Sequence, residues 1–257
     1  MKAQIMSDLH LDFPGARGIP RLAQGAALVI VAGDTCEGLV LALEALRRAF
    51  PDTEIVTVAG NHEYYRYCLP EELAAGRARA KELGVHLLEN DTVVLGPLRI
   101  IGATGWTDYD GFGEALRESG MGNAYDAMQD HKKIKWSRNP WKRFRPQEAR
   151  ALHLQSRAYI EAELAKPHLG KTLILTHHPG TIEAVAPEFQ RSLTSLAYFS
   201  ELLPIVDRFQ PHWWASGHTH VSMNYRRGRT RMISNPSGYA DENPFFDPIL
   251  TIEVNHD

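Results

Sequence analysis

The segment LVIVAGD, residues 28–34, joins a run of Leu, Val and Ile to a Gly-Asp ending. A short, continuous apolar run bounded by a turn residue is typical of a strand that is buried on both faces of a sheet. Helical patterns follow it along the chain, and strands that alternate with helices indicate an α/β fold. Asp34, at the end of this strand, then lies where α/β sheets bind their ligands.

The same alternation continues along the whole chain, without an internal repeat or a low-complexity linker. Apolar runs predict strands at Ala3–Ser7, Leu28–Ala32, Ile55–Ala59, Leu98–Ala103, Thr172–Thr176, Trp213–Ser216 and Ile249–Val254, and a hairpin of Met223–Arg226 with Arg231–Ser234. Helices are predicted at Leu39–Ala49, Pro70–Leu83, Gly113–Met128, Pro146–Ala165 and Phe199–Phe209. Because no shift in composition marks a boundary, we expect a single domain over residues 1–257.

Composition narrows the class of protein. The chain has 44% hydrophobic and 23% charged residues and a formal net charge of −3, as in an ordinary globular protein and unlike a dedicated nucleic-acid coat. Its two cysteines form no CxxC pair, which favours a reducing compartment. The start, MKAQIMSDLH, lacks the apolar core of a signal peptide, and no apolar run approaches the about 20 residues that span a bilayer. We therefore expect a cytoplasmic protein without a membrane partner.

Five of the predicted strands deliver a side chain that can bind metal at their carboxyl ends. The segments IMSDLH, LVIVAGD, IVTVAGNH, LILTHH and WWASGH end in, or lead directly to, Asp8, His10, Asp34, Asn61, His62, His177, His178, His218 and His220. The carboxyl ends of strands in an α/β sheet meet at one edge, so these side chains are expected to converge. Gly33, Gly60 and Gly217 suit tight turns where the backbone crowds a ligand.

The donor atoms of this set form a coherent metal site. Two carboxylates, one amide oxygen and four imidazoles make a mixed nitrogen and oxygen environment, which suits Mn, Fe, Zn, Co or Ni better than Ca or Mg. Seven ligands exceed the need of one ion with open positions and suffice for two ions if one carboxylate bridges them. The positive charge of two divalent ions exceeds the negative charge of the two carboxylates. The remaining positive charge can bind a phosphate and lower the pKa of a bridging water.

The order of these motifs is Asp-x-His, Gly-Asp, Gly-Asn-His-Glu, His and Gly-His-x-His, and it resembles the calcineurin-like metallophosphoesterase superfamily. The motifs run from Asp8 to His220, and the stretches GATGWTDYD and NPSGY are similar to a bacterial branch of that superfamily. The resemblance implies an α/β/β/α four-layer sandwich with two facing mixed sheets and helices outside.

The resemblance also implies roles for the ligands. Asp8, His10 and His220 would hold a first metal ion; Asn61, His177 and His218 would hold a second; and Asp34 would bridge them. His62 would be the acid beside the phosphate, without binding a metal. One common form of the third motif ends in Asp where this chain has Glu63, and this difference leaves the orientation of His62 open.

Three further residues have two interpretations each. His178 follows His177 directly, so it either contacts substrate at the loosened strand end or is a buried, hydrogen-bonded histidine. Tyr64 follows the third motif and either lines the pocket or packs in the core. Tyr239, in the stretch NPSGY, either reaches the rim of the site or belongs to a turn fixed by its Pro and Gly neighbours.

The segment HKKIKWSRNPWKRFR, residues 131–145, is the main basic feature and belongs to a predicted cap-like insertion around residues 112–146. Cations interleaved with aromatic rings are favourable for a single-stranded nucleic acid or a nucleotide. The alternative is a solvated cap whose aromatic side chains dock on the core.

Together these features predict a dinuclear metal-dependent phosphoesterase, with Mn as the favoured metal. A metal-bridging hydroxide would attack phosphorus and His62 would protonate the leaving oxygen. A phosphodiester is the favoured substrate, possibly a nucleotide or nucleic acid. A phosphomonoesterase of the same fold is the close alternative. Two further alternatives are less favoured. One is a nucleic-acid-binding module with structural metals, and the other is a hydrolase of non-phosphate esters or amides.

Overall fold

The structure, a computed structural model, describes residues 1–254. Its strands are β1 Lys2–Met6, β2 Ala26–Val31, β3 Glu54–Thr57, β4 His86–Leu87, β5 Asp91–Leu95, β6 Leu98–Ala103, β7 Lys135–Arg138, β8 Trp141–Arg143, β9 Lys171–Thr176, β10 Trp213–Ser216, β11 Met223–Arg227, β12 Thr230–Ser234 and β13 Thr251–Glu253. Its α-helices are α1 Leu39–Ala49, α2 Leu69–Leu83, α3 Arg117–Ala127, α4 Asp130–Lys133, α5 Pro146–Leu164 and α6 Leu203–Phe209. Short 3-10 turns occur at His62–Tyr64, Glu114–Leu116, Ile182–Ala184, Pro187–Phe189 and Leu193–Ala197.

Two mixed sheets form the centre of the molecule. The first has the strand order β13-β1-β2-β3-β4, in which β13 is antiparallel to β1 and the other pairs are parallel. The second has the order β11-β12-β10-β9-β6-β5, with parallel central pairs and an antiparallel pair at each edge. The carboxyl ends of β1, β2 and β3 therefore share one edge of the first sheet, and those of β9 and β10 share one edge of the second.

Alternate residues of β2 show how the layers are built. Leu28 and Ile30 belong to the core between the two sheets, together with Leu98, Ile100 and Leu175 of the second sheet. Val29 and Val31 point the other way, into a second apolar cluster with Leu43 and Leu46 of α1. A strand buried on both faces is what its unbroken apolar sequence predicts.

The outer face of the second sheet is covered in the same way. Ile174 and Trp214 lie in a third cluster with Ile160 of α5 and Val206 of α6. The order of layers is thus helix, sheet, sheet, helix, which confirms the predicted four-layer sandwich with two facing mixed sheets.

Several predicted boundaries differ from the structure. The helix predicted at Phe199–Phe209 begins at Leu203, where the Glu201 carboxylate accepts a hydrogen bond from the Leu203 N–H. The helix predicted at Gly113–Met128 begins with a 3-10 turn, and α3 covers Arg117–Ala127. The short strands β4 and β5 and the hairpin β7–β8 were not predicted, because short edge strands carry little periodicity. Within residues 1–254, no helix is long and apolar enough to span a membrane.

Candidate metal centre and active site

The loops that follow β1, β2, β3, β9 and β10 bring the predicted ligands together at one place. Five of these side chains stand on a left-handed backbone, with φ values of 53° at Asp8, 43° at His10, 55° at Asp34, 73° at His218 and 54° at His220. Residues other than glycine adopt this conformation at an energetic cost, and it is concentrated at functional sites. The surrounding structure therefore holds these loops in shapes that the chain alone does not favour.

Two glycines allow the loops to approach one another this closely. A Cβ atom at Gly217 would lie 2.5 Å from the Asp8 carboxylate, and one at Gly60 would overlap the Asp34 carboxylate. Both positions therefore require glycine for space rather than for backbone freedom, as expected for turns that crowd a ligand site.

The first group of ligands consists of Asp8, His10 and His220. The His220 Nε2 atom lies 3.5 Å from the Asp8 carboxylate and 2.9 Å from His10 Nε2. On its other side, His220 Nδ1 donates a hydrogen bond of 2.6 Å to the Glu242 carboxylate. Because Glu242 fixes a proton on Nδ1, Nε2 is the nitrogen that points into the group, an arrangement typical of metal-binding histidines.

The second group consists of Asn61, His177 and His218. The Asn61 Oδ1 atom lies 3.0 Å from His177 Nε2 and 3.1 Å from His218 Nδ1, and the two ring nitrogens are 3.2 Å apart. His177 Nδ1 donates to the carbonyl of Ala32 at 2.7 Å, so its Nε2 lone pair faces the other acceptors. Acceptors that converge in this way require a positive charge between them, either a proton or a metal cation.

Asp34 lies between the two groups. Its Oδ1 atom accepts a hydrogen bond of 2.9 Å from the His62 N–H. Its Oδ2 atom faces His177 Nε2 at 3.4 Å and His10 Nε2 at 3.8 Å. One carboxylate oxygen thus faces a histidine of each group.

The pKa values of the buried groups reflect this concentration of charge. Burial opposes protonation of His177, but the charge and hydrogen bond of Asp34 outweigh it and raise its pKa to about 9. Burial likewise acts against protonation of His220, but hydrogen bonds to Asp8 and Glu242 raise its pKa to about 10. In the metal-free protein these protons supply the positive charge that the carboxylates attract. The donor set therefore fits divalent cations, which would displace them.

Asn61 has two buried partners that the sequence analysis did not identify. Its Nδ2 atom donates to the Asp130 carboxylate at 2.8 Å and to the Tyr65 hydroxyl at 3.0 Å, and Tyr65 donates to the same Asp130 oxygen at 2.8 Å. These contacts turn the Asn61 carbonyl oxygen toward His177 and His218. Asp130 lies 69 positions further along the chain, and no motif in its surroundings marks it.

Glu63 stands where one common form of the third motif has Asp, and its side chain links two loops of the site. Its buried carboxylate accepts hydrogen bonds from the backbone N–H groups of Asp34, Thr35 and Gly60, at 3.0, 2.7 and 2.7 Å. It therefore ties the loop after β2 to the loop after β3. Burial, together with the charge of Asp34, raises the Glu63 pKa to about 8.

His62 is oriented by other contacts. Its backbone N–H is bound to Asp34, and its ring packs on Tyr65 with a centroid distance of 4.2 Å. The ring lies beside the two ligand groups, with Nε2 3.9 Å from Asp34 Oδ2. A role of His62 as the acid beside a bound phosphate stays a prediction.

A cavity of about 670 Å³ opens above the two groups. Asp34, Asn61, His62, His218 and His220 line it. The other lining residues include Ala127, Met128, Gln129, Val185, Ala186, Glu188, Phe189, Ser192, Thr194, Ser195, Tyr198, Tyr239 and Glu242. Within residues 1–254, no Lys or Arg side chain lines the cavity.

The residues predicted to contact substrate lie in different places. Tyr64 is 1% exposed and packs beside Trp106, and His178 is 3% exposed with its ring against His218. Neither lines the cavity, whereas Tyr65 does. A direct substrate contact of Tyr64 or His178 stays a prediction. In the structure both side chains are buried, and they pack against Trp106 and His218 respectively.

The basic segment, residues 131–145, forms part of α4 and the hairpin β7–β8. Lys133 pairs with Glu37 at 3.0 Å, Arg138 pairs with Glu71 at 2.8 Å, and Phe144 is fully buried in the core. Its basic side chains do not line the cavity. Part of the segment therefore packs on the core, as expected for a cap whose aromatic side chains dock there.

A comparison with protein families shows which family the chain belongs to. Residues 1–222 match the model of the calcineurin-like phosphoesterase family.

The chain belongs to the calcineurin-like phosphoesterase family.

Solved structures resemble this calcineurin-like phosphoesterase in fold. The crystal structure of phosphopantetheinyl hydrolase (PptH) from Mycobacterium tuberculosis superimposes with a TM-score of 0.72 at 20% identity, covering 94% of this chain and 90% of that one. A novel archaeal phosphodiesterase has a TM-score of 0.42 at 11% identity, covering 94% of this chain and 87% of that one. A comparison with curated proteins gave no significant match.

Proposed function

We propose that this member of the family hydrolyses phosphodiesters with two divalent ions, for which Mn is the favoured metal. Asp8, His10 and His220 would hold one ion, and Asn61, His177 and His218 would hold the other. The observation that carries this proposal is the position of Asp34 Oδ2, which faces His10 in one group and His177 in the other. A carboxylate oxygen that faces a histidine of each group is placed to contact two adjacent ions, as in two-metal sites.

When bound, the ions supply positive charge for the phosphate oxygens and lower the pKa of water. The chain itself supplies the proton for the leaving group. In the overall reaction, water adds to phosphorus, the bond from phosphorus to one ester oxygen breaks, and its electron pair stays on that oxygen. His62, which lines the cavity, gives a proton to the departing oxygen, and the proton that the attacking water loses restores His62.

The lining of the cavity favours a diester over a monoester. At neutral pH a phosphodiester carries one negative charge, whereas a monoester carries up to two and is commonly bound by Arg or Lys. No such cation lines this cavity within the part of the chain that the structure describes, and Glu188 and Glu242 stand in its wall. The apolar side chains of Val185 and Phe189 instead offer a surface for an organic group.

Hydrolysis of bis(p-nitrophenyl) phosphate and of p-nitrophenyl phosphate tests this proposal, each with Mn²⁺ and with EDTA. We expect Mn²⁺-dependent hydrolysis with a larger kcat/KM for the diester. A larger value for the monoester would support a phosphomonoesterase. Binding of an oligonucleotide without hydrolysis of either ester would support a nucleic-acid-binding module.

The role of His62 has its own test, the variant His62→Ala. An alkoxide leaves poorly without a proton, so loss of the acid should cost about 10²–10⁴ in rate on an alkyl diester. Nitrophenolate leaves readily, so the loss on the aryl diester should be much smaller. The matched control is His86→Ala, at a half-buried histidine that pairs with Glu54 on the first sheet and does not line the cavity. Equal losses on both esters with metals retained would point to electrostatic stabilisation by His62, and loss of metal would make it a ligand.

The location in the cell stays a prediction. Cys36 and Cys68 are both free thiols in the structure, which agrees with the reducing cytoplasm that the sequence favours.

A further inference from the structure

Tyr239 lies in a loop that the family match does not include. The match ends at residue 222, and this loop follows β12. Its backbone is fastened to the end of β1, because the N–H groups of Ser237 and Gly238 donate to the carbonyls of Ser7 and Asp8 at 2.9 and 3.0 Å. Gly238 has φ +72°, which suits glycine, and the turn sends the next side chain into the site.

The Tyr239 hydroxyl lies 3.1 Å from His62 Nε2. The tyrosine ring is held on two sides, with centroid distances of 4.4 Å to His10 and 4.7 Å to Phe13. The other ring nitrogen of His62, Nδ1, is buried and has no hydrogen-bond partner in the part of the chain that the structure describes. Of the two ring nitrogens of His62, only Nε2 therefore has an uncharged hydrogen-bond partner among the described residues, and that partner is the Tyr239 hydroxyl.

We infer that Tyr239 is a positioning residue for His62, an inference that rests on the proposed function. The His62 Nε2–H donates to the Tyr239 oxygen, and this contact stops the imidazole from rotating about its bond to Cβ. A rotated ring would turn a carbon atom or Nδ1 toward the cavity. As the phosphorus–oxygen bond breaks, its electron pair stays on the ester oxygen, the Nε2 proton moves to that oxygen, and the proton that the attacking water loses restores His62. Tyr239 itself is unchanged by the reaction.

The substitution Tyr239→Phe tests this role, because it removes the hydroxyl and keeps the ring that packs on His10 and Phe13. Tyr159→Phe is the matched control, since its hydroxyl also makes a hydrogen bond, of 3.0 Å to Thr92, and Tyr159 does not line the cavity. The substrates are methyl aryl phosphodiesters whose leaving groups range from p-nitrophenol to the more basic phenol. Metal content and melting temperature are measured on the same samples.

For Tyr239→Phe we expect a kcat about 10-fold lower on the phenyl ester, the effect of one hydrogen bond, and a smaller loss on the nitrophenyl ester. KM, metal content and melting temperature should stay unchanged, and Tyr159→Phe should keep the wild-type kcat. In a His62→Ala background the same substitution should cause no further loss, because the hydroxyl acts through His62. An equal loss in that background, or a loss of metal, would overturn the inference.

Nuclear magnetic resonance of the histidine rings tests the contact separately from activity. We expect the His62 Nε2 signal to shift in Tyr239→Phe and to stay in place in Tyr159→Phe. An unshifted signal would overturn the pairing of Tyr239 with His62. Absence of Mn²⁺-dependent hydrolysis by the wild-type protein would instead overturn the proposed function, and with it the catalytic role of the pair.

Discussion

Asp130→Asn is the substitution that most directly tests how the second group of ligands is held. The Asp130 side chain is 4% exposed and one of its oxygens accepts hydrogen bonds from both Asn61 Nδ2 and Tyr65. A hydrogen bond to a charged group is worth about 1.5–3 kcal/mol and a neutral one about 0.5–1.5 kcal/mol, so two weakened bonds cost about 2–3 kcal/mol. Removal of a buried charge offsets part of this cost and leaves a loss of about 2 kcal/mol.

Two measurements follow from this value. For a chain of this size, 1 kcal/mol changes the melting temperature by about 2–4 °C, so the variant should melt about 4–8 °C lower than the wild type. An amide at residue 130 can also turn its NH₂ group toward Asn61 and so release the Asn61 side chain. Loss of such an outer partner typically weakens metal binding about 10–100-fold, which titration of Mn²⁺ into the metal-free protein measures by calorimetry.

The matched control is Asp126→Asn, the same change at an exposed position of α3. We expect it to leave both the melting temperature and the Mn²⁺ isotherm unchanged. An unchanged isotherm in Asp130→Asn would refute the reasoning, because Asn61 would then be oriented without Asp130. Equal weakening of both ions would contradict the assignment of Asn61 to one of them.

Three further predictions concern the site and its surroundings. Asp34→Asn removes the charge that both groups face, so metal analysis should find well below two ions per chain; two retained ions would reject the bridging role. Glu63→Gln turns part of an acceptor for three backbone N–H groups into a donor. Above the Glu63 pKa of about 8, where the wild type holds a carboxylate, urea titration should show a free energy of unfolding lower by about 2–4 kcal/mol, whereas an unchanged midpoint would refute the tie between the loops. Replacing Lys132, Lys133 and Lys135 with Ala should change kcat/KM for bis(p-nitrophenyl) phosphate by less than about two-fold, because none of these three side chains lines the cavity. A raised KM for oligonucleotides at low salt would instead support the nucleic-acid interpretation of the segment.

The fold was predictable because its signals are local and repeated. Each buried strand has an apolar sequence, and the end of α1 falls at Ala49 as predicted. Short elements such as β4 and the hairpin β7–β8 gave no signal, because their pairing depends on contacts with distant residues rather than on their own periodicity.

The ligand set was predictable for a similar reason, since the carboxyl ends of strands meet at one edge. Most of the contacts that support it were not: the sequence offers Tyr239 at the rim of the site as one of two interpretations, but not its contact with His62, and it does not mark Asp130 or Glu242. Asp130 reaches Asn61 across 69 positions, Glu242 reaches His220 from a loop after the last motif, and Tyr239 reaches His62 across 177 positions. Such contacts are fixed by tertiary packing, and the residues that make them carry no local pattern. The left-handed backbone at Asp8 and Asp34 is likewise imposed by the loops around it.

The most direct test of the central claim is the activity of metal-free protein during stepwise addition of Mn²⁺. Bis(p-nitrophenyl) phosphate is the substrate, and bound metal is measured on the same samples. The shared position of Asp34 between two ligand groups predicts no activity without metal and full activity only when two ions are bound per chain. Hydrolysis by the metal-free protein, or no hydrolysis with two ions bound, would contradict the account.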